Sequence, residues 1–147
     1  MTENKADCIF CKIINKEIPS HKVYEDDKVY AFLDISQVTP GHTLLVPKKH
    51  VANIFEYDQE LAADVFSLLP KLSRAILESN PAIEGINILN NNGSLAYQSV
   101  FHSHIHLIPR YTKEDGFGLK WETHYDDYSP DELGQLAKTI AEKVEED

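Results

Sequence analysis

The sequence predicts an α+β chain with a mainly antiparallel sheet of about five strands, one long helix and a C-terminal helix. Three observations carry this. Short apolar and β-branched runs, closed by Pro, Gly, Asn or Asp, lie on both sides of one long stretch of helical spacing. A second helical stripe closes the chain behind a recognisable start signal. The length, 147 residues with 42% apolar content, suits one core, so a single domain over 1–147 is expected. Its core spans about 8–110, and an irregular segment plus helix occupies 113–147.

Taken in order, residues 1–7 are polar and acidic and read as a loose tail. Cys8 to Ile18 suggests a short helical turn, stopped by Pro19-Ser20. Val23 to Glu25 and Val29 to Leu33 read as strands around Asp26-Asp27, a hairpin turn signal. Pro40-Gly41 marks another turn, and Thr43 to Pro47 reads as a buried strand ahead of Lys48-Lys49-His50. Over Asp58 to Ser79, Leu61, Val65, Leu68, Leu69, Leu72 and Ile76 recur at helical spacing. Pro70 lacks a backbone donor, which predicts a kink or a local break there. Gly85 to Asn90 reads as a strand, Asn90 to Ser94 as a loop, and Ser99 to Ile108 as a strand stopped by Pro109. Residues 112–128 are irregular and rich in aromatics and charge. Ser129 then opens a helix as its cap, with Pro130 at the first helical position and Glu132 completing a capping box. Leu133, Leu136, Ala137, Ile140 and Val144 continue it.

Composition narrows the function. The chain has 24 acidic and 14 basic residues and a net charge of -10, which excludes a general nucleic-acid binder and an anionic-membrane binder. A small phosphate ligand needs only local donors and stays open. No apolar run approaches the ~20 residues that span a bilayer, and the N-terminus has no apolar leader, so a cytoplasmic location is expected. The two cysteines, Cys8 and Cys11, form a Cys-x-x-Cys pair. In a reducing compartment that pair is a redox dithiol, half of a tetrahedral zinc site, or two inert thiols.

The most informative stretch is Phe101-His102-Ser103-His104-Ile105-His106-Leu107-Ile108. In an extended chain, alternate residues share a face, so His102, His104 and His106 line one side and Ile105 and Leu107 the other. At roughly 6.6 Å between alternate residues, the outer two backbones are about 13 Å apart. Three imidazoles so spread cannot easily converge on one atom, which disfavours a three-histidine metal site and suggests a division of labour. A neutral imidazole can attack phosphorus, and a flanking protonated one can donate to phosphate oxygens or to a leaving group. The middle residue has a helper on each side, so His104 is the nucleophile that the geometry nominates.

At this point the chain resembles the histidine triad (HIT) superfamily, whose motif here reads His102-Ser103-His104-Ile105-His106-Leu107-Ile108. Ser103 departs from the family's usual apolar choice. Ile13 to Pro19, Ala31 to Ser36, Pro40 to His50, and Asn91 through Val100 resemble the Hint branch, including a bacterial Hit-like form, so the likeness covers roughly 8–110. The resemblance implies the HIT fold and hydrolysis at the α-phosphate of purine nucleoside phosphoramidates through a nucleotidyl-histidine. It implies His104 as nucleophile, with His106, His42 and Ser99 completing the catalytic set. It implies Asp34 on the ribose hydroxyls, Phe32, Leu33 and Ile35 around the base, and Asn91 and Gln98 near the phosphate or leaving group. In some relatives a Cys pair joins two histidines around zinc, and those positions match Cys8, Cys11, His50 and His102, a structural site. Family members form homodimers. Two rival functions stand beside this: hydrolysis of dinucleoside polyphosphates, and a nucleotide-binding scaffold whose catalysis is incidental.

Overall fold

Side-chain alternation along the strands sorts the sheet into two faces, each with its own cover. The computed structural model, which describes residues 5–145, places five strands in one antiparallel sheet. They are β1 (Lys22–Glu25), β2 (Val29–Leu33), β3 (Thr43–Pro47), β4 (Gly85–Leu89) and β5 (Ile105–Arg110), in the spatial order β1-β2-β3-β5-β4. Val29, Ala31, Leu45, Ile105 and Leu107 point to one face. There they meet Leu61 and Val65 of α2 (Gln59–Phe66) and Leu72 and Ile76 of α3 (Leu69–Ser79). Tyr30, Phe32, Leu44 and Val46 point to the other face, covered by Phe10, Ile13 and Ile14 of α1 (Ile9–Ile14). Leu45 and Ile105 are fully buried, and burying such a side chain contributes about 1.5–3 kcal/mol.

The chain separates into two compact units, one ending at Phe117 and one beginning at Gly118. The sheet and α1 to α3 belong to the first. In the second, α4 (Pro130–Glu145) opens as expected: Glu132 N–H donates to Ser129 Oγ, and Ser129 N–H donates to Glu132 Oε1. Its Leu133, Leu136, Ile140 and Val144 are exposed. Residues 1–4 of the expected N-terminal tail lie outside the described residues.

Two elements differ from expectation. The long helical stretch is two helices, interrupted at Ser67 and Leu68 rather than at Pro70 itself. The interruption puts Pro70 in the first turn of α3, where a missing donor costs nothing. The expected strand over Ser99 to Ile108 begins only at Ile105 and runs on through Pro109 to Arg110. β3 pairs with β5 only from Leu45↔Ile105 to Thr43↔Leu107, so Pro109 lies past the end of that ladder and interrupts none of it. The chain has turned away there at Gly41, whose φ of +102° suits glycine.

Candidate active site

The triad straddles the start of β5. His102 and His104 precede the strand and His106 lies within it, yet the alternation holds throughout. The Ser103 hydroxyl lies 2.9 Å from the Tyr57 hydroxyl on the α2 side. The histidines face α1: the Phe10 ring meets the His102 ring edge-on at 5.9 Å and the His104 ring at 5.0 Å. The His104 and His106 rings are 5.1 Å apart.

The protons of three imidazoles follow from their neighbours. His104 Nδ1 lies 2.8 Å from the His102 carbonyl, which only accepts, so Nδ1 carries the proton and Nε2 keeps its lone pair. Val38 N–H donates to His42 Nδ1 at 3.2 Å, which puts the His42 proton on Nε2. That N–H donates to His106 Nδ1 at 2.9 Å and leaves the His106 proton on Nε2. A bare nitrogen on His104 thus sits beside an N–H donor on His106. Burial holds all three below the ordinary imidazole value of 6.5, and His106, flanked also by His104 and His42, falls to about 4. Asp34, with Oδ2 at 3.8 Å from His42 Nε2, pulls the other way without reversing the direction. All three imidazoles are therefore neutral at physiological pH.

The other expected site residues spread along neighbouring segments. Asp34, His42 and His106 bring donor atoms within 4.8 Å of one another. Phe32 is buried, Leu33 and Asp34 are half-buried at the end of β2, and Ile35 is exposed. Asn91 is half-buried and Ser99 exposed. Gln98 is buried with its amide engaged: Oε1 accepts from Gly93 N–H at 2.8 Å, and Nε2 donates to the carbonyls of Ala52 and Val100. That side chain shapes the loop before the triad.

Sequence reasoning missed three residues. Asn90 Nδ2 donates to the His104 carbonyl at 2.9 Å, although in sequence Asn90 reads only as the junction of a strand and a loop. Gln37 clips the loop before β3, donating to the His42 carbonyl and accepting from Gly41 N–H. Phe10, between the two cysteines, reads in sequence only as part of a short helical turn, and the fold packs it against the sheet.

On the far side of Phe10 a second cluster forms. Cys8, Cys11, His50 and His102 bring one donor atom each within 4.8 Å of one another. His102 Nε2 donates to the Pro47 carbonyl at 2.8 Å, so its Nδ1 is bare and faces Cys8 Sγ at 3.4 Å and Cys11 Sγ at 3.5 Å. His50 Nδ1 lies 3.3 Å from Cys11 Sγ. A tetrahedral zinc centre with ordinary bond lengths has S···N edges of about 3.5 Å, so these residues fit a metal ion without rearrangement. Burial pushes the Cys11 thiol up to about 11, unlike the acidic thiol of a redox dithiol.

A family model described as the HIT domain matches residues 15–113. The chain is 57% identical over 137 residues to "Protein hit" of Bacillus subtilis, covering 93% of this chain and 94% of that one. It is 40% identical over 142 residues to a protein of Candida albicans named adenosine 5'-monophosphoramidase, covering 95% of this chain and 92% of that one. A crystal structure of a HIT family member from Bacillus subtilis superposes with a TM-score of 0.89 at 57% identity, covering 92% of this chain and 96% of that one.

Proposed function

The chain belongs to the HIT family, and from that membership we propose that it is a nucleotide hydrolase acting at the α-phosphate of purine nucleoside phosphoramidates or similar nucleotides. Relatives in the family are hydrolases: the Candida albicans relative carries the name of an adenosine monophosphoramidase. The observation that carries the reading is His104, whose Nδ1–H is tied to a carbonyl and whose Nε2 is bare.

In the proposed reaction His104 Nε2 forms a bond to the α-phosphorus as the bond from phosphorus to the leaving nitrogen breaks. The amine takes up a proton through the network around Ser99 and His106. Water then attacks the nucleotidyl-histidine, giving a nucleoside monophosphate and restoring Nε2. The His106 Nε2–H offsets charge on a phosphate oxygen. Asp34 binds the ribose, Phe32, Leu33 and Ile35 flank the base, and Asn91 and Gln98 shape the phosphate end. Neutral imidazoles support this chemistry, because a protonated His104 has no lone pair to offer.

Cys8, Cys11, His50 and His102 hold zinc in this reading. When bound, zinc supplies a structural cross-link between α1, the end of β3 and the triad. The protein works as a homodimer in the cytoplasm, with no nucleic-acid or membrane partner. A head-to-head assay tests the substrate class: the protein should turn over an adenosine phosphoramidate to AMP faster than a diadenosine polyphosphate. A preference for the dinucleotide would assign the chain to that chemistry instead.

A further inference from the structure

We propose that the metal cluster is part of the nucleophile's scaffold: with a metal held by Cys8, Cys11, His50 and His102, the Phe10 ring and the His102 carbonyl fix the His104 imidazole in its attacking orientation. This rests on the nucleophilic role of His104 proposed above. Phe10 is then a positioning residue.

The first argument concerns what holds the backbone. His102 and His104 lie ahead of β5, and the register with β3 starts only at Leu45↔Ile105, so among the described residues no strand ladder reaches the His102 carbonyl. The peptide that carries this carbonyl is held at its other end, where Ser103 N–H donates to the Val51 carbonyl, and the Asn90 amide holds the next carbonyl, that of His104. The His102 side chain supplies the rest: Nε2 is anchored on the Pro47 carbonyl and Nδ1 is aimed into the thiol pair. The same residue therefore offers its ring to the metal and its carbonyl, at 2.8 Å, to the nucleophile's Nδ1–H.

The second argument concerns the ring. α1 is six residues long, far below the length at which a helix holds itself together. Cys8 caps it, Cys11 lies one turn on, and Phe10 sits between them. Its ring lies edge-on against His104 at 5.0 Å and 74°, and against Phe32 at 5.8 Å. Locking both sulfurs to His50 and His102 locks the segment that carries this ring. The two routes, one through backbone and one through packing, converge on the same imidazole.

The experiment uses the full chain with 15N-labelled histidine and reads the two His104 ring nitrogens by NMR without substrate. Zinc-loaded protein should show one tautomer, with Nδ1 protonated. After chelation both nitrogens should move toward tautomer-averaged positions and return when zinc is restored. Unchanged nitrogens after metal removal overturn the proposal. Phe10→Leu keeps an apolar side chain and all four ligands, so it guards against simple unfolding. Loaded with one zinc per chain, it should lower kcat about tenfold or more with KM unchanged, as a misplaced nucleophile does. An unchanged kcat in that variant removes Phe10 from the scaffold. Absence of any phosphoramidate turnover in the loaded wild type would speak against the proposed hydrolysis and leave the metal-dependent ring signature standing.

Discussion

One neighbour apiece sets the proton of each imidazole in the candidate site. The His102 carbonyl claims His104 Nδ1, and Val38 N–H claims His42 Nδ1. A second proton on His42 would have to displace Val38, which agrees with burial holding both His42 and His106 below their ordinary value. The sign for catalysis follows. His104 is lowered from 6.5, so its lone pair is present above that pH and is lost on acidification. The acid limb of a kcat/KM profile should therefore have its midpoint below 6.5. A midpoint at or above 6.5 would contradict it. At this scale the sequence was legible where chemistry has a period. His-x-His-x-His announces a shared face, and the Cys-x-x-Cys pair has half of a metal-ligand set among its readings. The supporting residues carry no such signature. Asn90 reaches the His104 carbonyl from 14 residues away, and Phe10 meets a ring 94 residues on. Only the folded sheet brings such pairs together. Gln98 shows the reverse: its type suits a phosphate contact, and the fold engages it with backbone.

Strands and helices were easier to read when their cues were local. β2 and β3 lie where apolar runs end at turn residues, because both are buried and two-sided hydrophobicity marks them. Pro70 signals an interruption, though placing it requires knowing that a first-turn proline is free of cost. The start of β5 was illegible, since Ser99 to His104 look extended in sequence, whereas the chain bends over Val100 to His102 and enters the ladder only at Ile105. A cap illustrates the local energetics. Asp58 Oδ1 accepts from Leu61 N–H at 2.8 Å and holds the start of α2, whose Leu61 and Val65 enter the core. Asp58→Ala should cost about 1 kcal/mol, read as a lower urea midpoint at unchanged m-value. A midpoint equal to wild type would show that the cap contributes nothing there.

Over the whole molecule, the net charge of -10 conceals local pairing that ties distant segments together. Glu25 on β1 takes Lys48 at 2.8 Å, Lys16 at 3.2 Å and Lys22 at 3.4 Å. The Lys48 hydrogen bond is the chief reason its carboxyl falls from 4.5 to about 2. A depressed carboxyl contributes stability above its unfolded value and loses it on acidification, here between about pH 4.5 and 2. Glu25→Gln should therefore flatten the loss of stability over that window in chemical denaturation. Parallel curves for the two proteins would contradict the pairing. The proposed reaction centres on the bare nitrogen of His104, which the sheet and the α1 cover hold in place. The most direct measurement is a rapid-quench reaction with an adenosine phosphoramidate, followed by mass mapping of the peptide that carries the triad. The account predicts an adenylyl group on His104 that forms and decays within turnover, and no adduct or turnover in His104→Ala. Wild-type turnover in His104→Ala, or an adduct on another residue, would contradict it.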